Sequence, residues 1–412
     1  MRTLVQKYGG TSLSTPDRRA AVVERVLAAR REGFRVAVVV SAMGRAGDPY
    51  ATDTLLNLLD VEGELVDRRE RDLLLSCGEI ISAVLVAALL TCRGARAHAL
   101  TGPQAGIITD GAFGNAHIIE VVPARVLEIL NRDEVAVVAG FQGATREGEI
   151  TTLGRGGSDT TAAALGVALR AELVEIYTDV EGIMTADPRL MPEARLLPRV
   201  TYGEVAELAY LGAKVIHPRA VEIAAAGRVP LRIKSTLSGA PGTLIADFPP
   251  SGVEIRGDRV VTGIAHVPGL GQVKIRAAGE QGLAERQVEL FAALAREGIS
   301  VDLINVSPDL VSFAVSAGEL ERAREVLAGL GLSVEVQPGL AKVSAVGAGM
   351  RGVPGVMARV MAALKGAGIP VYQTADSHTN ISCLVPEADL SRAVVALHRE
   401  FHLEEAVGGV LG

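Results

Sequence analysis

The sequence predicts an α/β domain built on a largely parallel, buried sheet, followed by two ferredoxin-like βαββαβ units. Short apolar runs alternate with helical stretches from Thr3 to about Ile245, a Pro-rich break interrupts that pattern at Pro249-Pro250, and beyond the break the chain resembles itself at a shift of 70 positions. The alternation argues for strands and helices in turn, the break for a linker, and the repeat for a pair of similar modules.

Apolar runs fall at Leu4–Val5, Val36–Val40, Val135–Ala139 and Leu173–Tyr177, and helical stretches at Arg18–Glu32, Ser76–Leu90, Pro123–Asn131 and Thr160–Leu169. Strands that are apolar on both faces belong in a sheet covered by helices on each side. In the repeat, Ala292–Ile299 (AALAREGI) lies over Ala362–Ile369 (AALKGAGI), and the register holds through Ser312 over Ser382, Leu320 over Leu390 and Leu327 over Leu397. Each copy reads strand, helix, strand, strand, helix, strand. Two such small sheets are expected to pair edge to edge. The expected boundaries are 1–246 for the first domain, 247–260 for the linker, and 261–338 and 339–412 for the repeats.

Hydrophobic residues make up 49% of the 412, but aromatics only 3%, so Val, Leu, Ile and Ala must fill the cores. The formal charge of −7 and the lack of long like-charge runs leave nothing to attract nucleic acid or an anionic membrane. Lysine occurs only at positions 7, 214, 234, 274, 342 and 365, which makes each one conspicuous. Cys77, Cys92 and Cys383 have no metal-ligand spacing and read as buried free thiols in a reducing compartment. The first residues lack a signal-peptide run, and the longest apolar region, near Ile80 to Leu90, reads as shorter than a membrane span. A soluble, cytoplasmic protein is expected.

Three clusters carry chemistry. The first strand ends in Lys7-Tyr8-Gly9-Gly10-Thr11-Ser12, where glycines let backbone N–H groups approach phosphate oxygens and Lys7 adds charge. Its spacing matches neither the common phosphate loop nor the dinucleotide fingerprint. The second, Thr151-Thr152-Leu153-Gly154-Arg155-Gly156-Gly157-Ser158-Asp159, opens an apolar helix and crowds a guanidinium, a carboxylate and hydroxyls at one N-terminus. A well-capped helix explains Ser158 or Asp159 but not Arg155 among glycines. The third follows a strand as Tyr177-Thr178-Asp179, with Met184-Thr185-Ala186-Asp187-Pro188-Arg189 beyond it, at the carboxyl end where α/β sheets bind ligands. The run Gly212-Ala213-Lys214-Val215-Ile216-His217-Pro218-Arg219 adds one of the few lysines, with His217 read as structural.

Together these segments resemble, from end to end, the aspartate kinase branch of the amino acid kinase family. Ser41-Ala42-Met43-Gly44-Arg45 with Gly47-Asp48-Pro49-Tyr50, and Ala375-Asp376-Ser377-His378-Thr379, resemble the diaminopimelate-inhibited aspartokinases of spore-forming bacteria. The resemblance implies a three-layer αβα amino acid kinase fold and two ACT domains. It implies that ATP, with Mg²⁺, phosphorylates the β-carboxylate of L-aspartate. Lys7 would then act on the phosphoryl group in flight and Asp159 would orient Lys7. Thr52, Glu79, Arg155 and Ser158 would bind aspartate, and Tyr8, Gly9, Gly10, Ser41, Thr178, Asp179, Met184, Asp187, Arg189 and Lys214 would join Lys7 on the nucleotide side. Many relatives carry Tyr where Met184 stands. Asp302, Asn305, Ser377 and His378 would meet an amino-acid effector, meso-diaminopimelate ahead of lysine or threonine, in a homodimer or larger homo-oligomer joined through ACT domains. Metal ligands are not fixed by the pattern. The alternatives are another carboxylate kinase, acting on acetylglutamate or glutamate, and a catalytically inactive amino-acid sensor.

Overall fold

The computed structural model describes residues 2–59, 66–213, 215–247, 260–276, 283–350 and 352–405. The chain begins β1 (Arg2–Tyr8), α1 (Pro16–Arg31), β2 (Phe34–Val40), α2 (Thr52–Asn57), α3 (Arg68–Cys92), β3 (Ala97–Leu100), β4 (Ile107–Thr109), β5 (Ile118–Val121), α4 (Ala124–Asn131) and β6 (Val135–Ala139). It continues β7 (Gln142–Ala144), β8 (Ile150–Thr152), α5 (Gly157–Ala168), β9 (Leu173–Thr178), β10 (Arg199–Val200), α6 (Tyr202–Tyr210), α7 (Pro218–Gly227), β11 (Leu231–Ser235) and β12 (Thr243–Ile245).

Eight of these strands form one sheet in the order β10-β12-β11-β9-β1-β2-β6-β3. The central pairs are parallel, and β11–β12 is antiparallel. On one face, Tyr8, Val36, Val38, Val40 and Val137 pack with Val22 and Val26 of α1 and with Ala83, Val86 and Leu90 of α3. Helices α4 and α5 lie against the sheet from the other side. A small sheet, β5-β4-β7-β8, stands beside α3.

Local chemistry sets the helix starts. Thr15 caps α1 by accepting the Arg18 N–H, and Pro16 takes the first helical position. Helix α3 begins at Arg68 rather than Ser76 because Asp67 caps it through the Arg69 N–H. The helix is therefore long and apolar enough to cross a membrane, contrary to the sequence expectation. In the fold it is a core helix, with Asp72 and Glu79 buried along one side. The cysteine expectation also needs correction: Cys383 is buried, but Cys77 and Cys92 are exposed.

The second part runs β13 (Gly263–Arg276), α8 (Gln287–Arg296), β14 (Asp302–Val306), β15 (Leu310–Ser316), α9 (Leu320–Gly329), β16 (Val334–Val346), α10 (Val356–Gly366), β17 (Gln373–Asp376), β18 (Asn380–Pro386) and α11 (Leu390–Glu400). The repeat appears in the elements, since β15 and β18, and α9 and α11, start 70 positions apart. The two modules are not separate sheets paired at their edges. One six-stranded sheet, β14-β15-β13-β16-β18-β17, runs through both. The long strands β13 and β16 pair antiparallel with a register shift in the middle, so each serves one module with its first half and the other with its second. Gly263–Val267 pairs with Lys342–Val346 and supplies the second module's outer strand, where the sequence expected a strand after α11. The expected cut at 338/339 therefore divides β16, and the first module is inserted within the second.

The compact units also depart from the expected boundary at 246. Among the described residues, Met184–Arg195 and Tyr210–Ala213 join the C-terminal unit, while 2–183, Leu196–Ala209 and 215–247 form the other. The reason is apolar burial: Ala186, Met191 and Ala194 sit in the core of Val343, Val360, Cys383 and Leu397. Of the expected linker, 248–259 lies outside the described residues.

Candidate active site

The loops at the carboxyl ends of β1, β2 and β9 are knitted by backbone hydrogen bonds. Gly9 N donates to Tyr177 O at 3.3 Å, Ser41 N to Tyr8 O at 3.1 Å and Gly44 N to Gly10 O at 3.0 Å. A Cβ on Gly10 would stand 2.5 Å from Ala42 O, so only glycine lets the two loops meet. Because side chains alternate along a strand, Lys7 and Tyr8 point to opposite faces of β1. Lys7 turns toward α5, its Nζ 2.6 Å from Asp159 Oδ1, with both side chains 12% exposed. A Cβ on Gly9 would lie 3.7 Å from that Nζ. Tyr8 is instead fully buried, stacked on Tyr177 at 4.8 Å and donating to Gln6 at 3.1 Å. Its ring therefore cannot line a nucleotide site, and what it offers there is the carbonyl that holds Ser41.

Asp159 lies in the first turn of α5, whose cap, Gly156, takes φ 70°. A Cβ on Gly156 would fall 2.2 Å from His217, which explains the small residue there and gives His217 its packing role. Ser158 is buried against Gly140. Arg155 stands exposed between Gly154 and Gly156, and among the described residues it makes no ion pair. Glu79 is buried on α3; its Oε1 accepts the Ala42 N–H at 3.0 Å and, among the described residues, its Oε2 has no hydrogen-bond partner. Burial pushes its carboxyl up to about 8, against the opposing backbone hydrogen bond from Ala42. Thr52 opens α2.

Other expected residues already have partners or belong to the second compact unit. Thr178 donates its hydroxyl to Asp179, and Asp179 pairs with Arg45 at 2.7 Å. Met184, Asp187 and Arg189 belong to the segment that joins the C-terminal unit. There Met184 packs on the apolar core, and Arg189, paired at 2.6 Å, holds the Asp187 carboxyl below its usual range. Lys214 lies outside the described residues. Asp302 is the ion-pair partner of buried Lys342, while Asn305 is exposed on edge strand β14. Ser377 accepts the Thr379 and Asn380 N–H groups at 3.2 Å, shaping the β17–β18 turn, and His378 is exposed beside it.

The amino acid kinase family profile matches residues 2–235, and an ACT domain profile matches 335–399. Aspartokinase 1 of Bacillus subtilis is 50% identical over 407 residues, covering 98% of this chain and 100% of that protein. The chain belongs to the aspartokinase family. The aspartokinase of Geobacillus stearothermophilus is 42% identical over 100% of both chains. The crystal structure of E. coli aspartokinase III in complex with aspartate and ADP superposes with a TM-score of 0.78 at 27% identity, covering 97% of this chain and 99% of that one. The same enzyme with lysine and aspartate gives 0.77 at 27% identity, with 97% and 100% covered.

Two residues of this aspartokinase-family site escaped the sequence reading. Asp72 is completely buried on α3 and accepts from Thr152 N at 2.7 Å, Thr152 Oγ1 at 2.8 Å and Gly114 N at 2.9 Å. Arg219, at the start of α7, donates to Leu153 O at 3.1 Å and Ala116 O at 3.2 Å. The available signal was Asp72 at the edge of the apolar run, seven positions before Glu79 and hence on the same face of one helix. For magnesium, no group of three or more His, Cys, Asp or Glu side chains among the described residues could hold a metal.

Proposed function

We propose that this chain is an aspartate kinase, moving the γ-phosphoryl group of ATP onto the β-carboxylate of L-aspartate to give 4-phospho-L-aspartate and ADP. The carrying observation is the Lys7–Asp159 pair beside Gly9-Gly10, at the start of the helix that follows Arg155. A carboxylate is already a nucleophile at neutral pH, so the site needs no general base, only positioning and charge neutralisation. Lys7 would neutralise charge on the transferring group while Asp159 fixes its ammonium; magnesium would come as part of MgATP. Arg155 would clamp the substrate α-carboxylate and Glu79 would accept its ammonium, with Thr52 and Ser158 beside them. Ser41, Thr178 and the glycine backbone would line the phosphates. We further infer a cytoplasmic enzyme at the head of lysine/diaminopimelate, threonine and methionine synthesis. It would be inhibited through its ACT modules by an amino acid, meso-diaminopimelate favoured, in a homodimer or larger homo-oligomer.

Coupled ADP release with aspartate tests the reaction, with glutamate and acetylglutamate as competing substrates. Lys7→Ala should lower kcat roughly 100-fold or more while both substrates still bind, as expected for a group acting mainly in the transition state. Near-normal kcat in that variant removes Lys7 from the mechanism. Turnover with meso-diaminopimelate, lysine and threonine, singly and in pairs, identifies the effector.

A further inference from the structure

We propose that Asp72 is a positioning residue for aspartate binding, holding the Arg155 loop in register with Glu79. This rests on the assignment of Arg155 to the substrate α-carboxylate. Helix α3 bonds along one face to four separate segments. Glu79 Oε1 takes the Ala42 N–H in the loop after β2, Ser76 O accepts Gln142 Nε2 on β7 at 2.8 Å, and Asp72 takes Thr152 at the end of β8 together with Gly114. Asp72 and Glu79 are about two turns apart on the same helix, so the helix is a ruler between them. Thr152 lies three positions before Arg155, and the intervening Gly154, at φ 71°, has no stiffness of its own.

The chemistry of the Asp72 contact is one-sided. All of its partners donate, and two of them are backbone N–H groups. Arg219 holds the same stretch through Leu153 O and reaches Asn115 Oδ1 at 3.3 Å. A Cβ on Gly154 would stand 2.7 Å from that same Asn115 oxygen. The base of the Arg155 loop is therefore fixed by an acceptor from α3 and a donor from α7, while the Arg155 side chain extends outward without a protein partner among the described residues. A clamp held at its base and free at its tip is preorganised for a carboxylate.

The test uses the full chain with Asp72→Asn, which keeps the shape but turns one acceptor into a donor facing donors. Thr152→Val removes only the hydroxyl bond, and Arg155→Lys serves as reference. The aspartate KM should rise about tenfold or more in Asp72→Asn and a few-fold in Thr152→Val, with the ATP KM within about twofold, since a lost charge-assisted bond is felt only where the loop meets substrate. In the double variant Asp72→Asn/Arg155→Lys the aspartate KM should rise little beyond that of Arg155→Lys alone, because both changes act through one clamp. The proposal is overturned if the aspartate KM stays within about twofold while the melting temperature falls, if both KM values rise together, or if the two substitutions simply add. Should Asp72→Asn fail to fold, Thr152→Val decides by the same readings. An unchanged aspartate KM in Arg155→Lys would instead sink the underlying assignment of Arg155.

Discussion

Glu79 shows how much a single side chain can do by being placed where water is absent. Its carboxyl is pushed up to about 8 from an ordinary 4.5, chiefly by burial, and Oε2 has no hydrogen-bond partner among the described residues. For an acid raised in the folded state, the stability contribution is fully present below 4.5 and is lost as pH rises through about 8. The empty enzyme should therefore lose stability across that window. A substrate ammonium against Glu79 favours the charged form, so aspartate binding should expel a proton near pH 7. Aspartate affinity should climb roughly tenfold per unit between pH 6 and 8 and then level off. Calorimetric titration of aspartate in buffers of different ionisation enthalpy reads the proton directly. Glu79→Gln should abolish both the proton release and the pH dependence; their survival in that variant would assign them to another group.

At the scale of elements, the start of α5 is the most constrained segment of the site. Gly156 combines φ 70° with a His217 ring standing 2.2 Å from where a Cβ would go. Gly156→Ala must strain the backbone and push the ring away, so it should cost roughly 1–3 kcal/mol of stability and weaken aspartate binding through Arg155. A melting temperature and an aspartate KM both equal to wild type would show that His217 yields freely. The elements themselves were largely legible in the sequence, because β-branched runs such as Val36–Val40 and the Thr15-Pro16 cap signal locally. The Lys7–Asp159 pairing was legible only through family resemblance, since its partners lie 152 positions apart in the chain. The Tyr8 ring is buried away from Lys7 because strand alternation turns a neighbour of Lys7 on β1 the other way. Asp72 gives no local signal because it closes the charged run Arg68-Arg69-Glu70-Arg71-Asp72, which reads as a solvated stretch ahead of a helix expected to begin at Ser76. The boundary at 246 and the exchange of half-strands between β13 and β16 leave no local mark, because they depend on which apolar faces meet in three dimensions.

At the scale of the whole C-terminal unit, the two repeats are joined by more than a shared sheet. Edge strands β14 and β17, at opposite ends of the strand order, meet where Gln373 donates to Leu303 O, and Gln373 also accepts from Gln272 at 2.7 Å. Leu303 takes φ 50° at an irregularity in β14, which turns it into a core with Leu270, Leu340 and Leu384. The open faces of both modules thus close on one another, and Lys342 of β16 is trapped there at 6% side-chain exposure with half-exposed Asp302 as counter-ion. This alters what Asp302→Ala reports. If Asp302 were a free effector ligand, its loss would weaken inhibition at no structural cost. As the partner of a buried ammonium, its removal leaves Lys342 uncompensated. The cost should be about 1–3 kcal/mol, below that of a fully buried pair because Asp302 is half solvated. Replacing both members, Asp302→Ala with Lys342→Met, should recover most of that loss, since the desolvated charge is then gone. Asn305→Ala, on the exposed side of the same strand, should leave stability unchanged and is the better probe of effector contact. Urea unfolding of the three variants decides the matter: equal stability of Asp302→Ala and wild type would mean the pair contributes nothing. A double variant no more stable than Asp302→Ala alone would mean the loss arises in the β14 bend and not from the stranded charge.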